Sequence, residues 1–388
     1  MAQFFAPRRH PTMMLAPSPT VRTDGACFRL ALRPPFDWGH LERFFADHAS
    51  PGVETVTPGR YARTFLLAGR PGTLSVTCER GSLSVRIRGP EADEPFEAIL
   101  TRLRAMFDLG ADPDAIAAGL GRDPTMAALV ARRPGLRMPG AFDGFELAVR
   151  AILGQQVSVA AATRLAGRLV AAFGTPLGPK VGGDEPGLTH LFPTPEQLLE
   201  AEISLVLNMP RARGRAIQGL AAAVLATPDL FAPGGDLDAT VARLKALPGI
   251  GDWTAHYIAM RALAQADAFP AGDVGLMRAL DDGAGRPGRV ALLDRAAAWR
   301  PWRAYAAIHL WAEDAARRMP LRLPGSPRRS AILPPTTRRT GAGSGPATLP
   351  STARICRRRS PQRLGSASSI PPLRSSRALR PVTGRSSA

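Results

Sequence analysis

A change of hydrophobic period just before residue 96 sets the outline of the fold. In GTLSVTCERGSLSVRIRG the apolar side chains alternate, with Leu74, Val76 and Cys78 on one face and then Leu83, Val85 and Ile87. That is the period of two that a half-buried strand requires. The intervening ERGS reads as the turn of a hairpin. Directly afterwards PFEAILTRLRAMFDL puts Phe96, Ile99, Leu100, Leu103 and Phe107 on one stripe, the spacing of an amphipathic helix. Residues 27 to about 110 therefore read as a small α+β domain, and from about 111 to 316 the strand signal disappears and alanine-rich helical periods take over. The expected fold class is therefore α+β: a small antiparallel-sheet N-terminal domain over 27–110, followed by an all-helical domain over 111–316.

Within the helical part the boundaries are marked by capping chemistry. FELAVRAILGQQVSVAAATRLAGRLVAAFG is expected to form two helices broken at Gly154 to Val157, with Ser158 capping the second. Thr194-Pro195-Glu196-Gln197 has the form of a capping box with proline at the first helical position. DLDATVARLKALPGIGDWTAHYIAMRALAQ reads as helix, glycine turn, helix. RVALLDRAAAW and WRAYAAIHLWAEDAA form a further pair parted at Pro301.

The two ends read differently from this body. Residues 1–26 are expected to be a flexible leader; they carry arginines but are cut by prolines, unlike a signal peptide. No apolar run is long enough to span a membrane. The formal charge is +18, yet no acid follows Asp314, and Arg317, Arg318 and fourteen arginines from Arg322 to Arg385 supply most of it, so the body carries only about +2. Basicity therefore does not identify the partner of the folded part. Residues 317–388, rich in Arg, Ser and Pro, are expected to be disordered. Two readings of this segment weigh equally: a basic tail adding non-specific DNA affinity, and an out-of-frame extension. The three cysteines, Cys27, Cys78 and Cys356, are scattered without metal-ligand spacing, which fits a reducing, cytoplasmic setting.

Leu247-Pro248-Gly249-Ile250-Gly251 is the segment that carries chemistry. Glycine permits positive φ and a close backbone approach. The N–H groups of Gly249, Gly251 and the following turn through Thr254 form an anion site suited to DNA phosphate. On the other side of the turn the carbonyls of Lys245, Leu247 and Ile250 are placed to hold a monovalent cation, Na+ or K+. An isolated Gly-x-Gly is usually a tight turn and nothing more. Here the helix on each side and the Leu-Pro lead-in favour a helix-hairpin-helix DNA-binding element.

LPGIGDWTA together with Asp273 in FPAGDVGLMRAL resembles the helix-hairpin-helix, Gly/Pro-rich loop and aspartate signature of the DNA glycosylase superfamily. PPFDW, VETV, RYARTF, ARRPGLRMPGAFDGFELAVRAILGQQVSVAAA, LFPTPEQL and WRPWRAYAAIHLW are similar to its bacterial 3-methyladenine DNA glycosylase II branch, over about residues 28 to 316. The resemblance implies a helix-hairpin-helix glycosylase domain, with Asp273 as the catalytic carboxylate. It implies a base pocket of Trp253, Tyr257 and Trp311, joined by Phe44 from the first domain, and a wedge at Gln156, where some members carry leucine. Read alone, Asp273 is a helix N-cap and each aromatic is ordinary core. Asn208 stands where a glycine is more usual, and His256 and His309 read as structural histidines within helices. Strand-cleaving members carry a lysine where this chain has Trp253, and the amine nucleophile that step needs is missing; the four-cysteine cluster of some relatives is missing too.

The implied function is a monofunctional glycosylase that acts as a monomer on double-stranded DNA containing alkylated bases, with no cofactor required. Electron-rich rings would favour a cationic base by about 0.5–2 kcal/mol. Two alternatives stay open: a non-catalytic helix-hairpin-helix DNA-binding protein, and a glycosylase for oxidised or mismatched bases.

Overall fold

The computed structural model describes residues 20–22, 25–89, 96–178, 181, 185–281, 283 and 285–318. The expected leader over 1–19 and the expected tail from 319 onward lie outside the described residues, as does Cys356.

The first domain is built on a sheet of six antiparallel strands: β1 (Thr20–Arg22), β2 (Gly25–Ala31), β3 (Glu54–Thr57), β4 (Arg60–Leu67), β5 (Arg70–Glu79) and β6 (Ser82–Arg88), in the order β1-β2-β6-β5-β4-β3. The alternation read from sequence becomes cross-strand register, with Cys78 opposite Leu83, Val76 opposite Val85 and Leu74 opposite Ile87. The β5–β6 turn passes through Gly81 at φ +72°, where a side chain would be strained. Helices α1 (Trp38–His48) and α2 (Glu97–Met106) cover the sheet, and Leu41, Phe45, Ile99 and Leu103 share a core with Leu74, Val76 and Val85. One correction concerns the leader. Residues 20–22 and 25–26 are strand, because Thr20 pairs with Cys27 and Ala26 with Ile87, giving these backbone groups ladder partners.

Helices make up the second domain: α3 (Pro113–Leu120), α4 (Pro124–Arg132), α5 (Gly144–Leu153), α6 (Val159–Phe173), α7 (Pro195–Leu199), α8 (Ile203–Leu207), α9 (Arg211–Ala226), α10 (Leu237–Lys245), α11 (Asp252–Ala262), α12 (Val274–Ala279), α13 (Arg289–Ala296) and α14 (Arg303–Arg318). Their starts follow cap chemistry. Asp112, Asp123 and Asp143 accept first-turn N–H groups of α3, α4 and α5, Ser158 caps α6, and Thr194 with Gln197 closes a capping box on α7. Helix α5 runs through the middle, packing Ala148, Val149 and Ile152 among Ile217, Leu220, Ile258 and Ala259. A second correction concerns the tail: α14 continues through Arg318, because Arg317 and Arg318 pair with Glu313 and Asp314 one turn earlier.

A buried ionic cluster joins the two domains. Arg63 of β4 donates to Glu146 of α5 at 2.6 Å, and Arg150 of α5 bridges Glu54 of β3 at 2.8 Å and Glu146 at 3.0 Å. Arg261 of α11 donates to the carbonyls of Pro139 at 2.7 Å and Gly140 at 3.2 Å. These bonds tie β3 and β4 of the sheet to α5, and tie α11, which follows the glycine turn, to the segment that leads into α5.

Candidate active site

The two hairpin glycines have different reasons to be glycine. Gly249 sits at φ +81°, and a Cβ there would fall 2.5 Å from the Cβ of Ala216 on α9, so the fold itself excludes a side chain. Gly251 has φ −83° and ψ 177°, open to any residue, and a Cβ there would meet nothing within 4 Å. Its bareness leaves the backbone uncovered on the outer side.

The N–H of Ile250 is consumed by the carbonyl of Leu247 at 3.1 Å. The N–H groups of Asp252, Trp253 and Thr254 open α11, where no preceding turn supplies acceptors. N–H groups without intrahelical acceptors are what the expected anion site requires. Thr254 is buried and its hydroxyl accepts from Gln155 at 3.2 Å, so its side chain faces the protein. Burial opposes ionisation of Asp252 in the same turn, but Lys245 at 3.0 Å and Arg289 at 2.8 Å help hold its carboxyl below the usual range and turn it aside.

Asp273 caps α12. Its Oδ1 accepts the N–H groups of Gly275 at 2.8 Å and Leu276 at 3.1 Å. It also does more than cap. The indole N–H of Trp311 donates to Oδ1 at 2.9 Å and that of Trp253 donates to Oδ2 at 3.0 Å, so the carboxylate joins α11 to α14. Four donors to a single carboxyl fix its orientation firmly. Gly275, which the sequence reading passed over, makes this possible: a Cβ there would stand 2.9 Å from Asp273 Oδ1 and 3.3 Å from Trp311 Cδ1. Its signal was a glycine inside the first turn of a short helix, where it costs stability relative to alanine.

Three of the four aromatics expected to receive a base come together. Trp253 stacks on Tyr257 with centroids 5.0 Å apart at 12°, and Tyr257 meets Trp311 edge-on at 6.3 Å and 61°. Phe44 joins the group only through Arg261, whose guanidinium lies 4.6 Å from the Phe44 centroid and 5.2 Å from that of Tyr257 while donating to the Tyr257 hydroxyl. Arg261 is buried, and desolvation lowers its pKa. His48 stacks on Phe44 at 4.1 Å, and burial, reinforced by the Arg261 charge, pushes its pKa down to about 4. Nothing in the linear sequence tied Arg261 to Phe44, since the two meet only when the domains dock.

Gln156 lies exposed on the turn between α5 and α6 with φ +58°, a left-handed conformation that is uncommon for glutamine. Asn208 caps α8 at φ 49° and ψ 59°, left-handed as well, which explains how asparagine occupies a position more usual for glycine. His256 accepts the N–H of Phe269 at 3.3 Å, and His309 is buried, so both have structural surroundings. A surface hollow lined by Asp229, Asp236 and Arg243 includes none of the Asp273 group. Among the described residues no cluster of three or more His, Cys, Asp or Glu is placed to hold a metal. No helix there is long and apolar enough to cross a membrane.

Two family models match in sequence order: the AlkA N-terminal domain over residues 27–143, and the HhH-GPD superfamily base excision DNA repair protein over residues 149–288. The chain is 42% identical over 298 residues to a "Probable bifunctional transcriptional activator/DNA repair enzyme AlkA" of Mycobacterium tuberculosis, covering 76% of this chain but only 58% of that protein. It is 35% identical over 290 residues to "DNA-3-methyladenine glycosylase 2" of Escherichia coli, covering 73% of this chain and 96% of that one. Among solved structures, the 3-methyladenine DNA-glycosylase of Archaeoglobus fulgidus shares the fold, with a TM-score of 0.64 at 23% identity over 74% of this chain and 98% of that one.

Proposed function

From the premise that this chain belongs to the HhH-GPD superfamily of base excision DNA repair proteins, we propose that it is a monofunctional DNA glycosylase. It takes an alkylated base of the 3-methyladenine class out of the duplex and hydrolyses the bond between base and deoxyribose. The observation that carries this reading is the Asp273 carboxylate, held by the indoles of Trp253 and Trp311 beside a stacked tyrosine and next to the hairpin. A protein that only gripped the backbone would need the hairpin and nothing of this group.

The chemistry follows from the charge that develops. As the N-glycosidic bond breaks, its electron pair leaves with the base and the sugar becomes oxocarbenium-like. A fixed carboxylate in a poorly hydrated site stabilises that cation. An N-alkylated purine is already cationic and departs neutral, without a general acid. Water then bonds to the anomeric carbon and passes its proton to solvent, with Asp273 as the nearby base, leaving an abasic site. Extrusion of the base from the stack precedes all this, with Gln156 filling the vacancy and the rings of Trp253, Tyr257 and Trp311 receiving the base. Strand cleavage is not part of the proposal: Trp253 offers no amine, and Lys245 is committed to Asp252 at 3.0 Å.

The partner is double-stranded DNA bound by a monomer, with a cytoplasmic, DNA-associated location. No cofactor is needed for hydrolysis. A Na+ or K+ ion is proposed on the carbonyls of Lys245, Leu247 and Ile250. Lys245 ends α10, where helix carbonyls lack intrahelical donors, and the Leu247 carbonyl keeps a second lone pair beyond the one taken by Ile250.

Single-turnover release of free base from methylated duplex tests the reading, with the parent compared to Asp273→Asn. Asparagine still caps a helix, so the start of α12 keeps its acceptor, and the thermal midpoint of the variant checks that losing the bond from Trp253 leaves the fold intact. Loss of roughly a hundredfold or more at unchanged DNA affinity is expected, the size seen when one electrostatic stabiliser is removed. Tight binding without release by the parent would instead favour a binding module, and equal release by both would leave Asp273 as a cap alone.

A further inference from the structure

We propose that Gln155 is a positioning residue that locks the wedge loop to the phosphate-facing hairpin, so that the site of insertion and the site of backbone grip are held at one fixed spacing. This rests on the glycosylase reading above. Its basis is a set of hydrogen bonds that meet at one residue. The Gln155 side-chain amide donates to the carbonyl of Gly249 at 2.8 Å and to the hydroxyl of Thr254 at 3.2 Å. Its backbone carbonyl accepts from the guanidinium of Arg213 on α9 at 2.7 Å. The wedge turn, the hairpin and α9 therefore converge directly beside Gln156.

None of these bonds is needed to shape either element alone. Gly249 already takes its conformation from the turn, with the Ile250 N–H closing back on Leu247 at 3.1 Å. The wedge turn closes on itself through Gln155 N–H to Ile152 and Val157 N–H to Gly154. Gln155 is half-buried and adds nothing to the apolar core. What its side chain does fix is the distance between the two elements. Gln156, one residue on, is held left-handed at φ +58° and exposed. A strained backbone persists when its surroundings over-determine it, and the Gln155 tether supplies that constraint on one side.

A function follows from the mechanics of base extrusion. Pushing a residue into the stack while the phosphate is held elsewhere requires that the two contacts cannot slide apart. Where the duplex is already open, the same rigidity matters little. Removing the tether therefore penalises work against stacking selectively, and leaves plain backbone binding intact.

Gln155→Ala and Gln155→Met test this in the full chain. Methionine keeps the length but offers no donor to the Gly249 carbonyl and adds no charge beside the phosphate-facing turn, so neither a truncation cavity nor electrostatic repulsion mimics the result. The probes are an undamaged duplex, the same duplex with a tetrahydrofuran abasic analogue, and a methylated base placed either in a normal pair or within an unpaired bubble. Both variants should bind undamaged duplex as the parent does and lose roughly tenfold or more of the preference for the abasic duplex, about 1.4 kcal/mol by the affinity relation. Base release should fall by a similar factor from the paired lesion and hold nearly constant from the bubble, with the thermal midpoint unchanged. An unaltered abasic preference, a parent with no such preference, or equal losses on paired and bubble substrates would overturn the proposal. If the parent releases no base from any substrate, the glycosylase reading fails on its own, while the abasic preference still decides the role of Gln155.

Discussion

Residue by residue, the hairpin shows how two identical letters carry different physical demands. Gly249→Ala is expected to destabilise the fold by at least about 1–2 kcal/mol, the cost of the left-handed backbone for an L-residue, with the 2.5 Å approach to Ala216 adding to it. Gly251→Ala should leave stability within about 0.5 kcal/mol of the parent, as a surface change does, while weakening duplex affinity, because the methyl group occupies space the protein leaves empty. Denaturant midpoints and DNA titrations on the two variants separate these effects; equal destabilisation by both would sink the distinction. Sequence read both glycines alike, as one turn that lets the backbone approach closely, and the difference between them comes from Ala216 on another helix. Likewise it showed Asp273 as a cap, and the resemblance supplied its second role, but the two indole donors that orient it come from Trp253 and Trp311, 20 and 38 positions away. Gln155 was legible only as the neighbour of a wedge, since its partners lie on other elements.

Among the elements, what was readable followed from how cleanly each one alternates. The β5–β6 hairpin and α2 each alternate apolar with polar residue types, so their periods stand out, although Thr73 and Ser75 of β5 are buried as well. Strand β4 does not: Tyr61, Ala62, Arg63, Thr64 and Phe65 are all buried, with a charged residue in the middle of the run. Arg63 is buried there because Glu146 of α5 meets it from the other domain, a fact no local window contains. Glu54 belongs to the same cluster. Burial alone would raise its pKa, but Arg150 and Arg63 outweigh that and bring it down to about 2. Glu54→Gln would leave Arg150 facing a neutral amide and loosen the bonds Glu54 accepts from Tyr61 and Ser50. Breaking a buried ion pair by removing one partner costs about 3–5 kcal/mol, so a loss of that order is expected in denaturant unfolding. Base release should fall in parallel, because this cluster ties the sheet domain, which carries Phe44, to α5, and α5 packs against α11. A Glu54→Gln protein as stable as the parent would mean that apolar packing alone docks the domains.

At the scale of the whole molecule, burial has been spread over titratable groups in a way that fixes the sign of the pH dependence. His40, His48 and His309 are each pushed from 6.5 down to about 4, chiefly by desolvation, and His256 is lowered in the same direction. For a base with a depressed folded pKa, the unfolded chain holds the proton between the two values while the folded chain does not. The stability these histidines contribute is therefore complete above 6.5 and is lost as pH falls toward 4. Asp108 works the other way. Burial raises its carboxyl from 3.8 to about 6, against the bonds it accepts from Met138 and Tyr305, so over that window the folded chain holds the extra proton and acidification helps. Three histidines against one aspartate leave a net uptake of about two protons on unfolding, or roughly 3 kcal/mol per pH unit where the windows overlap. Glu54, with its folded value of about 2, extends the loss below pH 4.5. Unfolding free energies measured from pH 7 to pH 4.5 should fall steeply on the acid side. His309→Gln, which removes one protonation site whose pKa is held down chiefly by burial and further by His40 and Arg133, should flatten that slope by about one proton, roughly 1.4 kcal/mol per pH unit. A stability that is level or rises on acidification across this range would show that the histidines gain water or a partner that keeps them protonated in the fold.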